Sequence, residues 1–185
     1  MLNQLFASAS IVGFSGSRRP AGAVSSKALL SAIAAVPTSA RVVVGCAAGV
    51  DAVVRLACPQ AQVFSVASGQ FGRGKSAFAR RSIACVQSVA AAGPASLWVS
   101  FPASACPVGL LPSASPQECF CGSGSGTWAS LALAVGLGVR SLVFLPDGIQ
   151  PPIGWGLSLV PGESGWFSSA LVTVTSPTSA QLSLF

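Results

Sequence analysis

Short apolar runs rich in β-branched residues alternate along this chain with longer segments rich in alanine and leucine. The short runs have the length of buried strands, and the longer segments have the length of helices. The pattern predicts strands and helices in strict alternation. The predicted strands are residues 11–14, 42–44, 63–66, 97–99 and 141–145, and the predicted helices are residues 26–36, 50–57, 76–91 and 127–137.

This alternation favours an α/β fold. A strand that is followed by a helix and then by another strand forms a parallel pair with a right-handed crossover, and the helices cover both faces of the sheet. We therefore predict a Rossmann-like, doubly wound, mainly parallel sheet. One domain suffices for 185 residues, and we place it at residues 1–172, with a flexible tail at residues 173–185.

Three glycine-rich turns stand beside these elements, at residues 13–18, 45–51 and 122–127. In a parallel sheet, turns at the carboxyl ends of the strands lead into helix N-termini, where backbone amides bind anions. Serine and threonine hydroxyls add further donors. The turns therefore predict a nucleotide or phosphate site. Its candidate residues are Gly16, Ser17, Arg18, Gly45, Gly49, Asp51, Gly124, Ser125, Gly126 and Thr127.

Charged residues make up only 8% of the chain, against roughly 25% in an average soluble protein. Much of the surface must then be uncharged or covered, which favours a homo-oligomer. The net charge is +6, and six of the ten basic residues fall in two clusters. These clusters are candidates for phosphate contact, with a solvated basic surface as the alternative. They consist of Arg18 with Arg19, and of Arg73, Lys75, Arg80 and Arg81.

Neither a membrane-spanning segment nor a metal site is expected from the sequence. The charge-free segment 82–117 is interrupted by glycines and prolines, so no run of about 20 apolar residues predicts a membrane span. The first residues lack the features of a secretory signal, and we expect a cytoplasmic protein. The six cysteines lie in apolar segments and are expected to be reduced core thiols. Because the chain has no histidine, Cys119 and Cys121 do not predict a zinc site.

Acidic residues are few, which limits the catalytic chemistry. The chain has four of them and no histidine, so no conventional catalytic triad can form. Glu118, close to the third turn, is the candidate for a catalytic acid. Asp51 is expected to cap the helix that follows it or to bind a ribose hydroxyl.

The four tryptophans have two expected roles. Trp98 lies in a predicted strand and Trp128 at the start of a predicted helix, and both are expected to pack in the core. Trp155 and Trp166 lie in or beside the glycine- and proline-rich segment 147–165, which is expected to cover one edge of the domain. They stay open as platforms for stacked bases or as dimer contacts.

The three glycine-rich turns, in their order along the chain, resemble those of the SLOG superfamily. This Rossmann-like group joins the DNA-processing protein A family with the lonely-guy phosphoribohydrolases. Residues 16–18 look like the Gly-Ser-Arg of the DNA-processing proteins. Residues 45–51 look like their Ser-Gly-x-Ala-x-Gly-Ile-Asp turn, with Val44 in place of the serine and Val50 in place of the isoleucine. Residues 78–81 are similar to their Phe-x-Arg-Asn, with Arg81 in place of asparagine. The resemblance implies that Arg80 and Arg81 contact a nucleotide or nucleic acid.

The third turn resembles a motif of the lonely-guy enzymes, Pro-Gly-Gly-x-Gly-Thr-x-x-Glu. Residues 122–130 keep its Gly-Thr pair, but Ser130 stands at the position of the glutamate. In that family the glutamate and an arginine equivalent to Arg80 or Arg81 act on an N-glycosidic bond. Since Ser130 cannot supply a negative charge, the resemblance implies nucleotide binding without hydrolysis by the family mechanism.

The chain ends in Gln181, Leu182, Ser183, Leu184 and Phe185. This pentapeptide resembles the bacterial sliding-clamp-binding motif and implies that the partner is the sliding clamp, the β subunit of DNA polymerase III. Such a tail orders on binding, when its glutamine makes directional hydrogen bonds and its last two side chains fill an apolar pocket. The alternative is a C-terminal strand or turn that folds back on its own domain.

Together these features predict a non-enzymatic, DNA-associated accessory protein. Its turns and arginines would bind nucleic acid, such as single-stranded DNA, or a nucleotide, and its tail would bring it to the clamp. Two alternatives stay open. One is a sensor of a small nucleotide signal, and the other is a degenerate nucleoside phosphate hydrolase that uses Glu118.

Overall fold

From residue 11 to residue 144, one or two helices lie between each strand and the next. A computed structural model describes residues 2–19, 22–122 and 124–169. The strands in these residues are β1 (Ile11–Gly16), β2 (Arg41–Gly45), β3 (Gln62–Phe64), β4 (Ser96–Phe101), β5 (Arg140–Phe144), β6 (Leu157–Leu159) and β7 (Trp166–Ser169). The helices are α1 (Leu2–Phe6), α2 (Gly22–Ala34), α3 (Val50–Ala57), α4 (Lys75–Ala90), α5 (Pro116–Cys119) and α6 (Gly126–Gly136).

The strands form one sheet in the order β3-β2-β1-β4-β5-β7-β6. The first five strands are parallel, and β5, β7 and β6 pair antiparallel. The fold is therefore α/β and Rossmann-like with a mainly parallel sheet, which confirms the predicted fold class. The direction in which the chain adds strands reverses between β1 and β4, and ligands bind at such a reversal in open parallel sheets.

Helices cover both faces of the sheet, so the core has two parts. Successive residues of a strand point to opposite faces. Val12 accordingly packs on the side of α1, α2 and α3, where Phe6 and Leu29 are buried. Its neighbour Ile11 packs on the side of α4 and α6, where Val86 is buried.

All four tryptophans are buried. The core positions predicted for Trp98 and Trp128 are confirmed. The open roles for the other two are wrong, because both pack inside the domain. Trp166 lies against Phe101, with 5.5 Å between the ring centroids, and Trp155 makes a T-shaped contact with Trp128 at 5.6 Å. Neither ring has an exposed face for a base or a second subunit.

The segment after β5 is more regular than its composition predicts. Part of it forms β6, which pairs with β7 and adds two antiparallel strands at one edge of the sheet. Among the described residues, no helix is long and apolar enough to cross a membrane. The predicted tail at residues 173–185, including the clamp-binding motif, lies outside the described residues.

Candidate functional site

The three glycine-rich turns converge on one cleft of about 640 Å³. The cleft lies at the carboxyl ends of β1 and β4, where the strand order reverses. Parallel strands bring turns that are distant in sequence to the same edge of a sheet, which explains the convergence. The predicted residues that line the cleft are Gly16, Ser17, Arg18, Gly45, Asp51, Arg81, Gly124, Ser125, Gly126 and Thr127.

The first turn is fixed by its neighbours. The backbone amide of Ser17 donates to the Phe101 carbonyl at 3.0 Å, and the Ser17 carbonyl accepts from the Val50 amide at 3.1 Å. Gly49 lies behind the turn with a φ of +72°, and a Cβ there would collide with the backbone of Ser17 and Arg18. Gly49 therefore supports the turn and does not line the cleft.

Asp51 braces the second turn. Its Oδ2 accepts a hydrogen bond from the Ala47 amide at 3.1 Å. Four residues along α3, Arg55 donates from one nitrogen to the carbonyls of Gly45 (2.8 Å) and Ala47 (3.0 Å). Asp51 is therefore not the predicted helix cap, since the N-cap residue of α3 is Gly49. Arg55 was not predicted, although its spacing from Asp51 places both on one face of the helix.

A buried ion pair lies beside this turn. Arg81 donates to Asp51 at 3.1 Å, and the two side chains are only 9% and 6% exposed. A Cβ on Gly45 would overlap the Arg81 guanidinium, so the pair requires glycine at that position. The Arg81 Nε has no hydrogen-bond partner within the described part of the chain. A buried positive group with an unused donor thus lines the cleft.

The third turn brings a helix N-terminus to the cleft. The Ser125 side chain caps α6 by accepting from the Trp128 amide at 3.4 Å. The next residues, Gly126 and Thr127, line the cleft, and the amides of a first helical turn have no partner within the helix. These amides and the helix dipole favour an anion here. The hydroxyl of Ser130 donates to the Gly126 carbonyl at 2.8 Å.

The rest of the lining is largely apolar and includes Phe78, Leu110 and Trp98. Two cysteines also line the cleft. Burial raises the pKa of the Cys85 thiol to about 12 and also raises the pKa of Cys119. Both groups are therefore protonated at neutral pH and are poor nucleophiles.

Besides Gly49, two predicted residues lie outside the cleft. Arg80 is exposed, and its Nε donates to the Phe71 carbonyl at 2.7 Å. Glu118 is exposed as well and accepts from the Ser113 hydroxyl at 2.6 Å. In residues 2–19, 22–122 and 124–169, Asp51 is thus the only carboxylate that lines the cleft. This carboxylate forms an ion pair with Arg81.

Phe78 also lines the cleft. It is the first residue of the segment 78–81 that resembles Phe-x-Arg-Asn, but it was not among the predicted site residues. Helical spacing would have indicated it, because Phe78, Arg81 and Cys85 are three and four residues apart and share one face of α4. The same spacing explains why Arg80 points elsewhere.

No group of histidine, cysteine, aspartate or glutamate in the described residues could hold a metal ion. No protein-family model, no curated protein and no solved structure matches the chain.

Proposed function

We propose that this chain is a non-enzymatic accessory protein of the SLOG type, which binds a nucleotide in the cleft and is brought to the bacterial sliding clamp by residues 181–185. The observation that carries the first half is the convergence of three glycine-rich turns and the buried Arg81 on one cleft. Backbone amides, hydroxyls and a guanidinium are the groups with which proteins bind phosphate.

The remaining lining supports a nucleotide over a bare phosphate ion. A volume of about 640 Å³ lies within the usual range for small-molecule sites and far exceeds what one phosphate fills. Aromatic and aliphatic side chains provide apolar surface for a base.

Binding without turnover is supported by the state of the acidic groups. The Asp51 carboxylate already accepts hydrogen bonds from the Arg81 side chain and from the Ala47 amide. Glu118 is outside the cleft, and Ser130 stands where the lonely-guy motif has its glutamate. A general acid or base must reach the proton that it transfers, and this requirement disfavours the hydrolase alternative.

Nucleic acid is the second candidate ligand, because exposed basic residues continue beyond the cleft. Arg18 lines the cleft, and Arg73 and Lys75 line an adjoining groove that shares Phe78 with it. A positive groove beside an aromatic ring is the arrangement with which proteins hold single strands.

Calorimetric titration of the full chain with adenosine 5′-monophosphate and with single-stranded DNA tests the ligand. A non-enzymatic nucleotide-binding protein should bind the monophosphate without releasing free adenine. Chromatography of the mixture would detect any adenine that is released. Binding of DNA alone, weakened steeply by salt, would assign nucleic acid as the ligand. Absence of binding to both would refute the cleft as a nucleotide site, and free adenine would establish hydrolysis.

A pull-down with the purified sliding clamp tests the tail. Full-length protein should retain the clamp, whereas deletion of residues 181–185 should abolish retention. A variant with the same five residues in scrambled order is the matched control, because it keeps the hydrophobicity of the tail and loses the motif. Equal retention by all three proteins would refute clamp recruitment. A lower melting temperature of the truncated protein would instead support a tail that folds back on the domain.

We also propose a cytoplasmic homo-oligomer. The charged fraction of 8% supports this state, because it leaves few groups to solvate a monomer surface. Sedimentation equilibrium of the full chain should give a mass that is a multiple of 18.4 kDa, and a monomer mass at all concentrations would refute it.

A further inference from the structure

Phe78 is the only exposed aromatic side chain among the described residues, with 40% of its surface accessible. It lies in the first turn of α4 and lines the cleft. A single exposed apolar residue needs no explanation by itself. Phe78 differs from the other exposed apolar residues because it borders the cleft and a cation lies against its ring.

That cation is Arg18. Its guanidinium carbon is 5.5 Å from the centroid of the Phe78 ring, within the range of a cation–π contact. The turn that carries Arg18 is held by the hydrogen bond between Val50 and Ser17. Arg18 itself is exposed and forms no ion pair with a carboxylate in the described residues. Arg18 can therefore leave the ring without breaking another charge contact.

The same face of α4 carries a second residue that lines the cleft, Arg81. Arg81 is three residues after Phe78, so the two side chains lie one above the other on the helix. Phe78 is exposed and Arg81 is buried, and both line the cleft. A ligand whose phosphate binds near Arg81 and the N-terminus of α6 can therefore place a planar group against Phe78.

We propose that Phe78 is the platform on which the base of the bound nucleotide stacks, with the Arg18 guanidinium on the outer face of the base. This inference rests on the proposed nucleotide site and assigns its base-binding residue. Two stacking layers need about 7 Å between Phe78 and Arg18, so Arg18 moves outward by about 1.5 Å from its present 5.5 Å. Stacking of a base on an aromatic ring is stronger than an exposed cation–π contact. The base therefore displaces the Arg18 guanidinium from the Phe78 ring.

Two ligands that differ only in the base test the platform. Wild-type protein should bind adenosine 5′-monophosphate more tightly than ribose 5-phosphate in calorimetric titrations. Phe78→Ala should weaken binding of the monophosphate by about 5-fold or more and leave ribose 5-phosphate unchanged. Phe78→Trp should retain the preference, whereas Phe78→Leu, which keeps apolar bulk without an aromatic face, should lose it. Leu30→Ala in α2, also an exposed apolar position outside the cleft, is the matched control.

The outcomes separate this inference from the proposed function. If the wild type binds neither compound, the nucleotide site is refuted and the platform with it. If the wild type prefers the monophosphate and Phe78→Ala keeps the same preference, the site stands and the platform is refuted. Equal weakening of both compounds by Phe78→Ala would also refute it, because loss of stacking cannot affect a ligand without a base.

Discussion

The guanidinium of Arg81 lies 3.1 Å from the carboxylate of Asp51, and both side chains are buried beside the cleft. The pair joins α4 to the second turn, and Asp51 also holds the Ala47 amide. Removing one partner of a buried pair leaves an uncompensated charge, which costs about 3 to 5 kcal/mol. The pair is therefore a structural link, and Arg81 also lines the cleft, where its Nε has no hydrogen-bond partner among the described residues.

Variants at the two positions should separate these roles. Both Asp51→Asn and Arg81→Met should lower the free energy of unfolding by about 3 kcal/mol in urea titrations. Their effects on phosphate binding should be opposite. Asp51→Asn removes a competitor for the guanidinium and should strengthen adenosine 5′-monophosphate binding, whereas Arg81→Met should weaken it about 10-fold.

The double variant Asp51→Asn with Arg81→Met completes the cycle. It leaves no unpaired charge, so it should recover part of the lost stability without recovering ligand binding. Weaker binding by Asp51→Asn would show that Asp51 contacts the ligand directly, as a ribose acceptor would, and does not compete with it.

Gly45 makes the ion pair sterically possible. A Cβ at this position would overlap the Arg81 guanidinium and come within 2.5 Å of Asp51 Oδ2. Gly45→Ala should therefore displace the pair and lower the free energy of unfolding by about 1 to 3 kcal/mol. Gly126→Ala is the control for stability, because a Cβ there meets no atom within 4 Å. Similar unfolding free energies for the two variants would contradict the crowding at Gly45.

The parts of the fold that the sequence predicted are those with a strong local pattern. The helix at Val50–Ala57 has the predicted bounds. Four of the five parallel strands were predicted correctly because buried strands form unbroken apolar runs. The fifth, β3, is not buried and was predicted from a short apolar run alone. The short strands β6 and β7 were missed. They have only three and four residues, and Trp166 is fixed by contacts with Phe101 and Phe144, which are distant in sequence.

The site was predictable to the same extent. The three turns could be grouped because parallel topology brings strand ends together. Glu118 is close in sequence to the third turn, but its side chain accepts a hydrogen bond from Ser113 and does not line the cleft. The rotation of α4 about its axis decides whether Arg80 or Arg81 faces the cleft. The ion pair between Arg81 and Asp51 is a tertiary contact, and no local sequence pattern indicates it.

Burial of Cys85 should make the protein sensitive to alkaline pH. Desolvation raises the pKa of this thiol from 9.0 to about 12. Between these values the unfolded state loses the proton while the folded state keeps it, so stability present below pH 9.0 is lost as the pH rises. This one group lowers the free energy of unfolding by at most about 1.4 kcal/mol per pH unit. Urea titrations under reducing conditions measure the slope, and Cys85→Ala should make it shallower. An unchanged slope would mean that Cys85 is not the titrating group.

Glu163 should have the opposite effect, at acidic pH. The Leu2 amide donates to Glu163 Oε1 at 2.8 Å, which ties α1 to the turn between β6 and β7. This hydrogen bond lowers the pKa of Glu163 below its ordinary 4.5. A lowered carboxylate pKa stabilises the fold above 4.5, and that contribution is lost as the pH falls through the folded-state value. Glu163→Gln keeps an acceptor oxygen but cannot titrate. The unfolding free energy of the variant should therefore fall less than that of the wild type on acidification, and parallel pH profiles for the two proteins would show that the Leu2 contact does not depend on charge.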